Sequence, residues 1–108
     1  MNNDHLKPLS QPVLMILLSV ARQPNHDYSI RKQVEHMSQG TVLLSTGTLY
    51  GALRRLLSLG WIRRCPHSNS SRHCKQYRIG ERGREQLRRE LGWMRDFIQL
   101  ADERIDLR

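Results

Sequence analysis

The apolar residues of this chain change their spacing twice, and few architectures accommodate that order. Between Val13 and Leu59 they recur at helical intervals, residues 61–65 and 75–79 are short aromatic and β-branched runs, and from Leu87 a helical spacing returns as a heptad. Val13-Leu14-Met15-Ile16-Leu17-Leu18 is apolar all round, which predicts a buried first helix of about 12 residues with Ser10 as its cap and Pro12 in its first turn. It should end near Arg22, because Pro24 disfavours helix in the residue before it. Asn25 or Asp27 opens a second helix to about Gln39, with Ile30, Val34 and Met37 on one face and Arg31, Lys32 and Glu35 opposite. Gly40 stands where a left-handed residue ends a helix. After a short linker, Ser45 or Thr46 caps a third helix through Leu59. Leu49, Leu53, Leu56 and Leu57 face inward there, and Tyr50, Arg54 and Ser58 repeat on the other side.

The two β runs flank a tip rich in Ser and Asn, residues 66–73, and together predict a two-stranded hairpin. The order is then three helices, a hairpin and one long helix that begins after Gly80. This is a mainly α fold with a small β-hairpin: a winged helix-turn-helix over residues 9–80, followed by a C-terminal helix over 81–108. A length of 108 residues amounts to about one small domain with a modest core, so self-association is expected to add stability. The last helix carries the means. Leu87, Leu91, Met94, Ile98, Ala101 and Ile105 form a heptad seam, flanked by a second stripe of Trp93, Phe97, Leu100 and Leu107. One domain hides one such stripe; two predict a homodimer.

Charge is segregated in the same way. The net charge is +8, and residues 46–80 hold Arg54, Arg55, Arg63, Arg64, Arg72, Lys75 and Arg78 with no acidic residue, whereas the segments on either side are close to balanced. A basic block on patterned, folding sequence points to a polyanion, and double-stranded DNA is the partner that a winged helix-turn-helix fits. An enzyme is not expected, since there is no Gly-rich phosphate loop and no Ser/His/Asp grouping on a plausible turn. No cofactor is expected either. The apolar run from Val13 to Ala21 is too short to span a bilayer and reads as a helix start after Pro12, so a cytoplasmic protein without membrane contact is expected.

Three blocks resemble the PadR family of bacterial transcriptional regulators, in its small form with a single C-terminal helix. His26-Asp27-Tyr28-Ser29-Ile30 resembles the family's H-G-Y-E-I. Gly47-Thr48-Leu49-Tyr50-Gly51-Ala52-Leu53-Arg54-Arg55-Leu56, continuing to Gly60-Trp61-Ile62, is similar to G-T-L-Y-x-A-L-x-R-L…G-W-I. Lys75-Gln76-Tyr77-Arg78-Ile79 with Gly83-Arg84 is similar to K-Y-Y-R-L-T-x-x-G-R. The likeness covers about residues 9–105. Asp27 replaces a usual glycine, and Gly80 a usual capping threonine. The resemblance implies a regulator, mostly a repressor, with Tyr50 and Lys75 on the DNA backbone.

The third helix is expected to enter the major groove, with Thr46, Thr48 and Tyr50 donating to phosphates and Arg54 forking onto a guanine edge. Arg72, His73 and Lys75 of the wing are expected beside it, and a dimer would read a near-palindromic operator. Related small regulators bind flat aromatic compounds between their dimer helices, which makes Trp93 and Phe97 a candidate effector pocket, although core packing is the simpler role for Trp93. Cys65 and Cys74 fall opposite each other if the hairpin turn is centred on Asn69-Ser70. A disulfide there, or a metal held by Cys65, His67, His73 and Cys74, would make the wing redox- or metal-responsive, against the simpler reading of reduced cytosolic thiols and no metal. The rival from another class is a protein-interaction adaptor that uses the apolar face of the last helix.

Overall fold

The structure, a computed structural model, describes residues 9–66 and 75–105. Its elements run α1 (Gln11–Ser19), β1 (Asn25–His26), α2 (Asp27–Met37), α3 (Thr46–Ser58), β2 (Ile62–Arg64), β3 (Gln76–Ile79) and α4 (Glu81–Ile105). This is the winged-helix order anticipated above, with two changes. The first helix is shorter than expected, ending at Ser19 with Val20 as its C-cap. The hairpin of β2 and β3 has a third member, because β1 pairs antiparallel with β3 and gives the order β1-β3-β2.

Each helix begins and ends on local chemistry. The Ser10 side chain accepts from the Val13 N–H at the start of α1, and the Asn25 Nδ2 donates to the Ser19 carbonyl at its end, 3.1 Å away. Ser45 caps α3 in the same manner through the Thr48 N–H, at 3.1 Å. His26 occupies the N-cap position of α2 without a side-chain cap bond. That helix closes on Gly40, whose φ of +82° suits glycine and whose N–H donates to the Glu35 carbonyl.

The core is where α1, α2 and α3 meet the sheet. Ile16, Leu17, Val20, Ile30, Val34, Leu53, Leu56 and Ile62 are almost fully buried, closed by Tyr77, Ile79 and Leu87. Met37, expected inward, is partly exposed, and Ser38 takes the inner place instead. The reason is polar: Ser38 Oγ accepts from the Val42 N–H at 2.9 Å and donates to the Glu35 carbonyl at 3.2 Å, fixing the turn out of α2. Leu57 packs at the edge of the core rather than in it.

The start of α4 is pressed onto the turn before β2. Gly83 is buried, and a Cβ there would lie 2.1 Å from the Trp61 carbonyl oxygen. Gly80 is confined too: its N–H donates to that oxygen at 2.8 Å, and a Cβ would lie 2.6 Å from the Gly60 carbonyl oxygen. Its glycine is therefore a matter of space as well as of capping. Further along α4, buried Glu90 accepts from the Leu9 N–H at 3.1 Å and ties the helix to the chain entering α1.

Candidate nucleic-acid interface

α3 is the helix that a winged-helix protein would lay in a groove. Its thirteen residues span about 20 Å at the usual helical rise. Leu49, Leu53 and Leu56 are buried, which turns Thr46, Thr48 and Arg54 outward, all exposed. The hydroxyls at its start are already engaged within the protein. Thr46 Oγ1 accepts from Arg31 Nη1 at 3.4 Å, and Thr48 Oγ1 lies 2.9 Å from Ser45 Oγ.

Tyr50 is half-buried, and its hydroxyl donates to Asp27 Oδ2. The tyrosine expected to donate to phosphate thus donates to a carboxylate of its own chain. A phenol has one proton, and here a carboxylate holds it. Asp27 accepts the Tyr28 N–H on its other oxygen, Oδ1, and gives its own N–H to the Lys75 carbonyl at 3.3 Å. The first residue of α2 is thus linked both to α3 and to the base of the wing. Asp27, Tyr28, Arg31, Thr46, Leu49 and Tyr50 together line a shallow cleft of about 130 Å³ between the two helices.

The sheet adds cations. Arg63 and Arg78 stand opposite each other on β2 and β3, and both are exposed, as are Arg64 and Lys75. Tyr77, on β3, is buried in the core; burial pushes its phenol pKa up, Arg64 opposes this and the Asp27 charge adds to it. Beside it the His26 ring places Nε2 3.4 Å from Gln76 Nε2, while Nδ1 is buried without a hydrogen-bond partner among the described residues.

The register places Cys65 differently from the symmetric-turn expectation. Arg64 pairs with Tyr77, and the Cys65 N–H donates to the Gln76 carbonyl at 3.0 Å, so Gln76 stands across from Cys65 where Cys74 was expected. Cys65 is a free thiol and half-buried. Arg72, His67, His73 and Cys74 lie outside the described residues, and among the described residues there is no group of three or more potential metal ligands.

On α4 the heptad divides. Leu87 is buried in the protomer's own core and Met94 packs against it, so those two seam positions are occupied within one chain. Leu91, Ile98 and Ile105 are exposed, Ala101 is half-buried, and Trp93, Phe97 and Leu100 are exposed. The Trp93 and Phe97 rings stack with centroids 5.2 Å apart and planes 9° from parallel.

Sequence reading missed Arg31, which reaches Thr46 from α2, and the role of Asp27 beyond starting a helix. It also missed Tyr28, 60% exposed, with Lys32 Nζ 5.8 Å from its ring centroid. A usable signal for Asp27 was its being an acid where the family block it resembles has glycine; nothing local announced the others.

The same fold recurs in known proteins. The structure resembles a PadR family transcription regulator from hypervirulent Clostridium difficile, with a TM-score of 0.70 and 24% identity over 88% of this chain and 97% of that one. It also resembles RosR of H. salinarum (TM-score 0.68, 17% identity, 92% and 96% covered) and a transcriptional regulator from Clostridium thermocellum (TM-score 0.65, 18% identity, 88% and 90% covered). At these identities the likeness speaks for the fold. No match was found among curated proteins. No helix among the described residues is long and apolar enough to cross a membrane. The model of the Transcriptional regulator PadR-like family matches residues 15–89, well over half the chain, and the protein therefore belongs to that family of DNA-binding regulators, which are not enzymes.

Proposed function

We propose that this regulator binds a near-palindromic operator as a homodimer and represses by occupying promoters in the cytoplasm. α3 enters the major groove; Arg54 reads a guanine edge, and Thr46, Thr48, Tyr50 and Lys75 meet phosphates, with Arg72 and His73 of the wing beside them. The observation that carries this reading is the exposed face of α3 within an acid-free stretch. Arg54, Arg63, Arg64, Lys75 and Arg78 are all exposed, and residues 46–80 contain no carboxylate. Such a surface is suited to counterion release from a duplex.

The dimer rests on the C-terminal helix, residues 81–108, as a unit of its own. Leu91, Trp93, Phe97, Ile98, Leu100 and Ile105 leave a broad apolar face in water, more than a lone soluble domain usually exposes. The stacked Trp93 and Phe97 rings on that face offer a flat surface to a small aromatic effector.

The test is titration of the purified protein onto DNA upstream of its own gene, beside a shuffled duplex, at two salt concentrations. A preference of about a thousandfold or more for the first supports an operator-reading regulator that controls itself. Equal and steeply salt-dependent binding to both keeps DNA binding and moves the operator elsewhere. Binding to neither removes the DNA reading and leaves an adaptor that uses the face of α4.

A further inference from the structure

Asp27 is a carboxylate set between two groups that the DNA reading assigns to phosphates. Its Oδ2 takes the Tyr50 hydroxyl proton, and its N–H binds the Lys75 carbonyl. It is half-buried and lines the open cleft beside Arg31, Thr46 and Tyr50. Two physical consequences follow. A phosphate oxygen only accepts hydrogen bonds, and the one proton that Tyr50 has to give is held by Asp27. A phosphate that approaches Tyr50 also meets a like charge at hydrogen-bonding distance from the same hydroxyl.

We propose that Asp27 is a specificity-determining residue of the DNA interface. It withholds the Tyr50 proton and repels backbone phosphate, so a duplex held only by its backbone gains little at this point. An operator seated by base contacts on α3 can bring a phosphate close enough to accept the Tyr50 hydrogen bond in place of the carboxylate. Discrimination is raised here by a repulsive element rather than by an added attraction. This rests on the DNA-binding reading above and names a determinant within it.

The experiment measures the affinity of the full chain for a shuffled duplex and for its operator duplex over a salt series, with Asp27→Asn as the variant. Removing one charge without changing shape is expected to tighten binding to the shuffled duplex about three- to tenfold and to steepen its salt slope by about one. The operator should gain less, so the ratio between the two falls. In the Asp27→Asn background, where a neutral amide oxygen holds the hydroxyl less strongly than a carboxylate, Tyr50→Phe should remove the part of the gain that the hydroxyl supplies and leave the part due to the lost charge. Asp27→Ser, which also removes the charge but keeps a short acceptor at the helix start, should behave like Asp27→Asn, and unfolding curves report whether either variant has lost its fold. Equal weakening on both duplexes, no change on either, or a gain that Tyr50→Phe leaves undiminished would overturn the proposal while leaving DNA binding intact. Failure of the unaltered chain to bind any duplex would overturn the reading beneath it.

Discussion

Gly83→Ala and Gly51→Ala are the same substitution inside two helices of one protein, and they should move stability in opposite directions. At Gly83 the added Cβ would sit 2.1 Å from the Trp61 carbonyl oxygen, 2.9 Å from its carbonyl carbon and 3.1 Å from Ile79 Cγ1. A carbonyl cannot rotate away as a side-chain tip can, so α4 or the turn before β2 must shift by more than 1 Å to reach an ordinary contact. The same oxygen accepts the Gly80 N–H at 2.8 Å, and moving it weakens that bond. Overpacking of this kind costs about 1–3 kcal/mol and a weakened hydrogen bond up to about 1 kcal/mol more, while alanine's better helix propensity offsets about 1 kcal/mol. The net is roughly 2 kcal/mol of destabilisation, which for a domain of this size lowers Tm by about 10 °C. Around Gly51, inside α3, nothing lies within 4 Å of the place a methyl group would take, so only the propensity gain of about 1 kcal/mol remains and Tm should rise by several degrees. Thermal and urea unfolding followed by circular dichroism, at one fixed protein concentration because a dimer's Tm depends on it, reads both. If Gly83→Ala is as stable as the unaltered chain or more so, the close approach of α4 to Trp61 is refuted as the reason for glycine there.

Arg54→Ala should cost about 1–3 kcal/mol of operator binding and relax specificity, whereas Lys75→Ala should weaken all duplexes alike and lower the salt slope by about one; equal losses on operator and shuffled DNA for Arg54→Ala would remove its base-reading role. Ile98→Asp puts a charge on a side chain that is 60% exposed in the protomer, so light scattering should show a monomer whose circular dichroism is unchanged; a persistent dimer would place the interface elsewhere. Ser45→Ala removes the acceptor of the Thr48 N–H and should destabilise α3 by about 1 kcal/mol in urea unfolding. The raised pKa of Tyr77 means the native state holds its phenol proton more tightly than the unfolded chain does. Its contribution is therefore complete below about pH 10 and is lost as pH rises from there through the native value; a phenolate absorbance titration that shows all three tyrosines ionising together would contradict this.

What was legible in the sequence was whatever depends on near neighbours. Ser10 and Ser45 announce helix starts because a cap reaches only three residues ahead, and Gly40 announces a stop because its backbone angle is a local demand. The features missed join distant parts of the chain. Two residues, Asn25 and His26, have no periodicity to betray a strand; they become one because β3 offers its free edge to them. The expected opposition of Cys65 and Cys74 differs from the observed register for a related reason. It assumed a hairpin symmetric about Asn69-Ser70, whereas the observed register sets Arg64 against Tyr77 and shifts the partner of Cys65 by two residues, to Gln76. Turn residues rich in Ser and Asn do not determine loop geometry, and register follows from the core: Ile62 must meet Ile79 and Tyr77 must face inward.

The proposed DNA face shows the same limit at the level of single atoms. Helical spacing put Thr46, Thr48 and Arg54 outward correctly, since it reports direction from the axis. It carries no information on which acceptor a hydroxyl finds, and Tyr50 finds one 23 residues away, on Asp27. The heptad on α4 is the clearest case. Its 4-3 repeat is a property of one helix and marks a continuous apolar stripe, but the body against which each part of the stripe packs depends on where the domain ends. Near the start of α4 the core of the same chain is within reach and takes Leu87, with Met94 packed at its edge. Beyond Met94 the seam positions Ile98 and Ile105 are 60% and 61% exposed in the protomer. In the proposed dimer a single repeat serves two kinds of packing in succession, and the changeover is set by helix length against domain width. Lengthening or shortening the helix beyond Phe97 should therefore alter association while leaving the fold of the winged helix as it is.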